Sequence, residues 1–320
     1  MHKILITGGG GFIGSHLVKK IAKRDCKISV VDNLGSESSK NKKNKALRNN
    51  RSRISFYKED LRNKKGISYI FDHEKIDTCI HLAAKVDILD SIKNPYDTFD
   101  INVKGTLHLL EACSNNKVKN FIFASSAAVY GEALKLPIKE DHILEPLSPY
   151  GASKVAAEAL VSTYRKLGKI QNAVSLRLFN VYGEGQSREY AGVIKKFADR
   201  LSRCLPPIIH GDGKQTRDFI SVHDVVNAIM LASELEVNIQ PSIGIFNVGT
   251  GIPISISNLA QQMIRISGLN LEPIYDVANK AEIMNSYADI TRARNVLKFI
   301  PKCHLESDLK NLLHSETINK

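Results

Sequence analysis

The chain has 320 residues, 43% of them hydrophobic and 24% charged, with a formal net charge of +12. This composition excludes a wholly disordered polypeptide, and the length implies one large or two moderate domains around a substantial core. No stretch reaches the roughly 18 uninterrupted apolar residues of a membrane-spanning helix, and Met1 leads into a glycine-rich turn with no signal-type apolar region.

Residues 3–7 are a short apolar strand, and residues 12–23 follow with helical spacing of Ile13, Leu17 and Ile21. Residues 27–31 are strand-like again. Residues 40–65 then hold eleven Lys or Arg against Glu59 and Asp60. Phe56 and Tyr57 do not alternate with these charges as in a stacking platform, so the segment reads as a solvated surface and not as a nucleic-acid arm. Residues 54–57, 77–82 and 120–125 are further strands. Residues 96–113 carry Phe99, Val103, Leu107 and Leu110 at helical intervals. Ser148 and Pro149 open an alanine-rich helix with a hydroxyl N-cap and proline at N1, Gly168 stops it, and residues 173–178 give a sixth strand. Beyond Asn180, helical segments at 222–232 and 256–266 are separated by Pro- and Gly-rich loops.

Alternating strands and helices predict an α/β fold: a Rossmann-type doubly wound parallel sheet with a smaller α/β substrate domain. The expected boundaries are 1–179 for the dinucleotide-binding domain and mainly 180–320 for the second, interleaved so that about 217–248 returns to the first. The five cysteines are an odd number, far apart and without a CxxC pair. Reduced thiols in a cytoplasmic protein are expected, with no metal site and no membrane partner.

Gly8, Gly11 and Gly14 form GxxGxxG between the first strand and the first helix. Glycine lets the backbone turn tightly against a pyrophosphate, and the helix N-terminus favours the anion. Asp32 follows Gly14 by 18 residues at the end of the second strand. Its carboxylate suits a ribose diol and repels a 2′-phosphate, so NAD is expected over NADP. Tyr150 and Lys154 share one face near the start of the alanine-rich helix. A phenol has a pKa of about 10, and lowering it by about three units needs roughly 4 kcal/mol. A neighbouring ammonium, Lys154, together with a nicotinamide cation would favour the phenolate. Ser126 is placed to hydrogen-bond the reacting oxygen of a substrate.

TGGGGFIG at 7–14, HLAA at 81–84, SSAAVYG at 125–131, YGASK at 150–154 and RLFNVYG at 177–183 occur in that order, with Asp32-Asn33, Asp60-Leu61, Asn102 and Gln215-Thr216-Arg217-Asp218. Over essentially the whole chain this resembles the extended short-chain dehydrogenase/reductase family, in its branch of NAD-dependent nucleotide-sugar epimerases. The resemblance implies that Phe12, Ile13, Asp32, Asn33, Asp60, Leu61, Leu82, Ala83, Ala84, Asn102 and Phe179 line NAD, with Lys154 also on the nicotinamide ribose. It implies a UDP-sugar site of Asn180, Gly192, Val193, Ile208, His210, Arg217, Lys280 and Ser286, with Ser126 and Tyr150 at the sugar. It also implies a homodimer through residues 95–114 and 148–168.

Family members that dehydrate their sugar carry an acid just after the catalytic Ser/Thr, where this chain has Ala127 and Ala128. Elimination needs that extra acid or base, so 4-epimerisation of a UDP-hexose is expected. Other nucleotide-sugar chemistries (a glucuronate 4-epimerase, a reductase, a dehydratase) and a non-catalytic NAD-binding protein are the alternatives. Residues 279–283 stand where the family usually has Arg-Pro-Gly-Asp-Ile. The arginine is absent, and Lys280 offers a point charge in place of a bidentate fork. Ser286 occupies a size-gate position, where a small side chain leaves room for an N-acetyl group.

Overall fold

The structure, a computed structural model, describes residues 2–35, 53–186, 192–235, 244–278 and 283–318. Through residue 178 it has β1 (His2–Thr7), α1 (Phe12–Ile21), β2 (Cys26–Val31), β3 (Ile54–Tyr57), α2 (Lys64–Glu74), β4 (Thr78–His81), α3 (Ile88–Lys93), α4 (Pro95–Phe99), α5 (Gly105–Asn115), β5 (Asn120–Ser126), α6 (Pro149–Lys166) and β6 (Asn172–Leu178). There follow β7 (Asn180–Tyr182), α7 (Val193–Leu201), β8 (Ile208–His210), β9 (Thr216–Ser221), α8 (Val222–Ser233), β10 (Ile245–Val248), β11 (Pro253–Ser255), α9 (Ile256–Ser267), β12 (Ile274–Asp276), β13 (Asn285–Ser286) and α10 (Leu305–Ile318).

Seven strands form one sheet in the order β3-β2-β1-β4-β5-β6-β10, every pair parallel. The apolar runs 4–6 and 121–124 are buried because helices cover both faces. Side chains alternate across the sheet. Ile4 and Ile6 meet Leu17 and Ile21 of α1 and Ile229 of α8 on one face. Leu5 and Phe121 meet Phe71 of α2, Leu109 of α5 and Val161 of α6 on the other. The Rossmann-type expectation therefore holds. Strand order reverses between β1 and β4, which opens a crevice at their carboxyl ends, the usual ligand position in such sheets.

A third apolar cluster lies under α7, α9 and α10, where Phe197, Phe219, Leu259, Met263 and Leu309 pack together. Strand β9, which contributes Phe219, pairs with β7, β11 and β13, while β8 and β12 form a separate pair. Helix α6 begins as its sequence signals: Ser148 Oγ accepts from Gly151 N at 3.1 Å, Pro149 is at N1, and Gly168 has φ +66° just past the end.

The run expected over 96–113 is helical throughout, but not uniformly α. Between α4 and α5, residues Asp100–Lys104 form a π-helical turn. Of the basic segment, residues 40–52 lie outside the described residues. In its described part Arg53 meets Asp25, Arg62 bridges Asp60 and Asp97, and Lys64 meets Glu111. Among the described residues, no helix is long and apolar enough to cross a membrane, and no cluster of three or more His, Cys, Asp or Glu could hold a metal.

Candidate active site

The crevice between β1 and β4 is lined first by glycine. Gly8 has φ +68°, and a Cβ there would stand 2.7 Å from Ala83 N; one on Gly14 would stand 2.1 Å from Gly8 O. No larger residue fits either place, so the turn lies flat against β4 and α1 starts close to the sheet. Gly11 caps α1 without a side chain, leaving the N–H groups of its first turn, at Phe12 and Ile13, for an anion.

Asp32 ends β2 with its carboxylate on the turn: Oδ2 accepts from Gly10 N at 2.9 Å and Oδ1 from Leu34 N at 2.8 Å. Burial pushes its pKa up, and these two N–H groups oppose the shift. Further along, the hydrogen bonds of Arg62 hold Asp60 down at about 2, with Asn33 Nδ2 donating to the same carboxylate at 3.1 Å. Leu61 packs beneath Gly105. Leu82 N donates to Thr7 O and Ala83 N to Thr7 Oγ1, each at 3.2 Å, which brings residues 82–84 across the crevice.

Asn102 lies in the π turn. Its amide clamps both backbone groups of Lys85, accepting from Lys85 N at 2.8 Å and donating to Lys85 O at 2.9 Å, and it also donates to Ser153 Oγ at 3.0 Å. The turn swings this side chain inward, and Thr106 Oγ1 donates to Asn102 O. His81, wedged between Thr7 and Thr106, is driven to about 3 by burial and by Lys154, so it is neutral.

Tyr150 and Lys154 point from α6 into the same buried region, 8% and 3% exposed. Ser126, at the end of β5, hydrogen-bonds Tyr150. Lys154 Nζ donates to Ala124 O at 2.9 Å, lies 4.7 Å from the Phe123 ring centroid and 5.9 Å from that of Tyr150. Burial pushes the Tyr150 phenol up, and the Ser126 hydrogen bond opposes that shift. The lysine is itself desolvated, pulled down to about 7, with its proton committed to a main-chain carbonyl.

A cavity of about 620 Å³ lies among the elements that follow residue 179, and Ser126, Tyr150 and Lys154 do not line it. It gathers Asn180, Val193, Ile208, His210 and Arg217 from β7, α7, β8 and β9. Gly192 caps α7 at its edge. His210 is exposed, and its carbonyl accepts from Gln215 Nε2 at 2.8 Å. Phe179 is buried against Tyr130, its N–H bound to Val248 O. Ser286 pairs with Arg217 across β13 and β9 but does not line the cavity. Lys280 lies outside the described residues. Lys196, Arg200 and Arg203 also line the cavity. The sequence reading missed them, because their only signal is a cationic run along α7 and the turn just after it.

The reading also missed a buried network behind α6. Arg177, 2% exposed on β6, binds Glu158 through Nε at 3.0 Å and Nη2 at 2.8 Å; its Nη1 reaches Tyr130 Oη and Glu140 O, each at 2.9 Å. Tyr130 Oη donates to Asn247 Oδ1 at 2.6 Å. A charged residue inside an apolar strand was the signal available.

Comparison with known proteins agrees with this architecture. The profile of the NAD dependent epimerase/dehydratase family matches residues 4–249. A protein of Methanocaldococcus jannaschii described as a putative UDP-glucose 4-epimerase is 37% identical over 313 residues, 97% of each chain. The UDP-glucose 4-epimerase of Thermotoga maritima, solved with UDP-glucose, superposes with a TM-score of 0.90 at 34% identity, covering 99% of this chain and 98% of that one. The UDP-N-acetylglucosamine 4-epimerase of Methanobrevibacter ruminantium, solved with UDP-N-acetylmuramic acid, gives 0.90 at 32% identity, covering 100% and 99%. With the glycine cradle and the Asp32 carboxylate fitting the dinucleotide, and the profile spanning most of its length, the chain belongs to the NAD-dependent epimerase/dehydratase family.

Proposed function

We propose that this chain interconverts the C4 epimers of a UDP-hexose, UDP-glucose with UDP-galactose and also the N-acetylated pair. The observation that carries the reading is the convergence of Ser126, Tyr150 and Lys154 beside the crevice, with methyl groups, Ala127 and Ala128, where an elimination would need an acid.

Gly8, Gly11, Phe12, Ile13, Gly14 and Asp32 would hold the pyrophosphate and adenosine ribose, Asn33, Asp60 and Leu61 the adenine end, and Leu82, Ala83, Ala84, Asn102, Lys154 and Phe179 the nicotinamide half. When bound, NAD supplies hydride acceptance from C4 and its return. Tyr150 takes the C4 hydroxyl proton and gives it back. Ser126 orients that oxygen, and Lys154 adds positive charge near the phenolate. Asn180, Arg217 and Lys280 would hold the diphosphate, about which the keto sugar turns to present its other face. Gly192, Val193, Ile208 and His210 would border the uracil. Ser286, buried beside Arg217, would set the room at C2 of the sugar.

Incubating the purified protein with a panel of UDP-sugars and following products by NMR tests this. Epimers of UDP-glucose and UDP-N-acetylglucosamine are expected, with no net NADH absorbance. Turnover of UDP-glucuronate alone, loss of water, or stoichiometric NADH change would select one of the other nucleotide-sugar chemistries. Ser286→Tyr should suppress the acetylated substrate at least about tenfold more than UDP-glucose, a pocket-filling effect of about 1–3 kcal/mol; equal loss on both counts against the gate.

A homodimer belongs to the same reading. Tyr96, 91% exposed, lines with Phe99, Val103 and Leu107 an open apolar depression on α4, α5 and the π turn. Light scattering should give twice the 35.5 kDa chain mass; a monomer at every concentration tested would refute it.

A further inference from the structure

Tyr150, Lys154 and Glu158 stand four residues apart along one face of α6, 8%, 3% and 3% exposed. The reaction proposed above uses the first two. The Glu158 carboxylate is turned away from the crevice, where Ser125 Oγ donates to it at 2.5 Å and Arg177 forks onto it through Nε and Nη2. A well-packed apolar pair of similar volume is commonly as stable as a buried ion pair, so stability by itself does not call for these charges.

Lys154 is the group that gains from them. Its ammonium faces the Ala124 carbonyl and the Phe123 ring; burial pulls it down to about 7, and Glu158 opposes that pull. The other ionisable groups around the pair are His81 from β4, Tyr130 after β5, Arg177 from β6, and Glu140, which binds Asn247 N and faces Arg292 at 3.5 Å. His81, at about 3, and Tyr130, at about 12, stay neutral near pH 7; Arg177 stays charged.

We propose that Glu158 is a positioning residue for the reaction, keeping Lys154 in its ammonium form while Arg177 holds the carboxylate in place. The proposal rests on the epimerase reading above. Lys154 acts as a cation only below its own pKa, so activity is lost as pH rises through that value. Glu158 moves that loss to higher pH, and removing its charge must move it down.

In Glu158→Gln the alkaline limb of kcat is expected to move to lower pH by about one pH unit, so the rate beyond it falls about tenfold. KM for the nucleotide sugar should change less than about twofold, because no substrate contact is lost. A second readout needs no turnover: in ¹³Cε-lysine NMR of the substrate-free protein, the Lys154 midpoint should fall by a similar amount. An unmodified protein inactive on every UDP-sugar would defeat the epimerase reading, while the NMR titration would still decide the Glu158–Lys154 coupling. If Glu158→Gln fails to accumulate, Glu158→Gln/Arg177→Met leaves no unpaired buried cation and should still lower the Lys154 midpoint, by less because a positive neighbour is removed as well. Ser125→Ala, which alters neither charge, should leave the Lys154 midpoint in place. An unmoved Lys154 midpoint in the charge-removing variant, or an equal displacement in Ser125→Ala, overturns the proposal.

Discussion

Tyr150→Phe is expected to lower kcat for epimerisation by about 10²–10⁴-fold, the usual contribution of a positioned acid–base group. Bound NAD should stay stoichiometric. The ring is nearly buried at the start of α6, and its hydroxyl meets Ser126, not the pyrophosphate turn. The variant therefore keeps the packing and removes the one group placed to exchange a proton with the sugar oxygen. NAD released by denaturation and measured against protein separates the two effects. A fully active variant would remove the phenol from the reaction.

Arg177→Met should cost about 3–5 kcal/mol of folding stability, because it leaves a buried carboxylate without its counter-ion. Glu158 loses three hydrogen-bond contacts from the guanidinium, and Tyr130 and the Glu140 carbonyl each lose one. Urea unfolding should show the midpoint falling with its slope unchanged, the pattern of lost stability rather than altered compactness. Replacing both members, as Glu158→Met/Arg177→Met, should recover most of the loss, since no buried charge remains. A single variant within about 1 kcal/mol of the unmodified protein would put the pair among interactions that contribute nothing measurable.

Six of the seven strands of the sheet were legible in the sequence because they are short apolar runs between glycine and polar turns, and because Gly8, Gly14 and Asp32 keep fixed offsets from strand ends; β10 was not read as a strand. Helix α2 was not legible: Ile67, Ile70 and Phe71 are its only buried residues in an otherwise polar eleven-residue segment. The π turn around Asn102 was hidden because one extra residue in a helix barely disturbs an apolar period. Tyr150 and Lys154 were visible from their spacing, yet Glu158, one turn further on, carries no motif of its own. The electrostatics of Tyr150 are not legible from spacing alone. Whether Lys154 acidifies the phenol depends on where its ammonium points, and that is decided by Ala124 on another strand. The cavity cations Lys196, Arg200 and Arg203 acquire meaning only once α7 lies against β8 and β9.

Strand β10 pairs with β6 although 66 residues separate the end of one from the start of the other. During synthesis, the outer rim of β6 has no partner until residue 248 has emerged from the ribosome. The nucleotide-binding half is thus completed last by a piece made after much of the other lobe. Until then its bare backbone donors and acceptors are a template for a stray strand, which makes the nascent intermediate the vulnerable moment in the life of this protein.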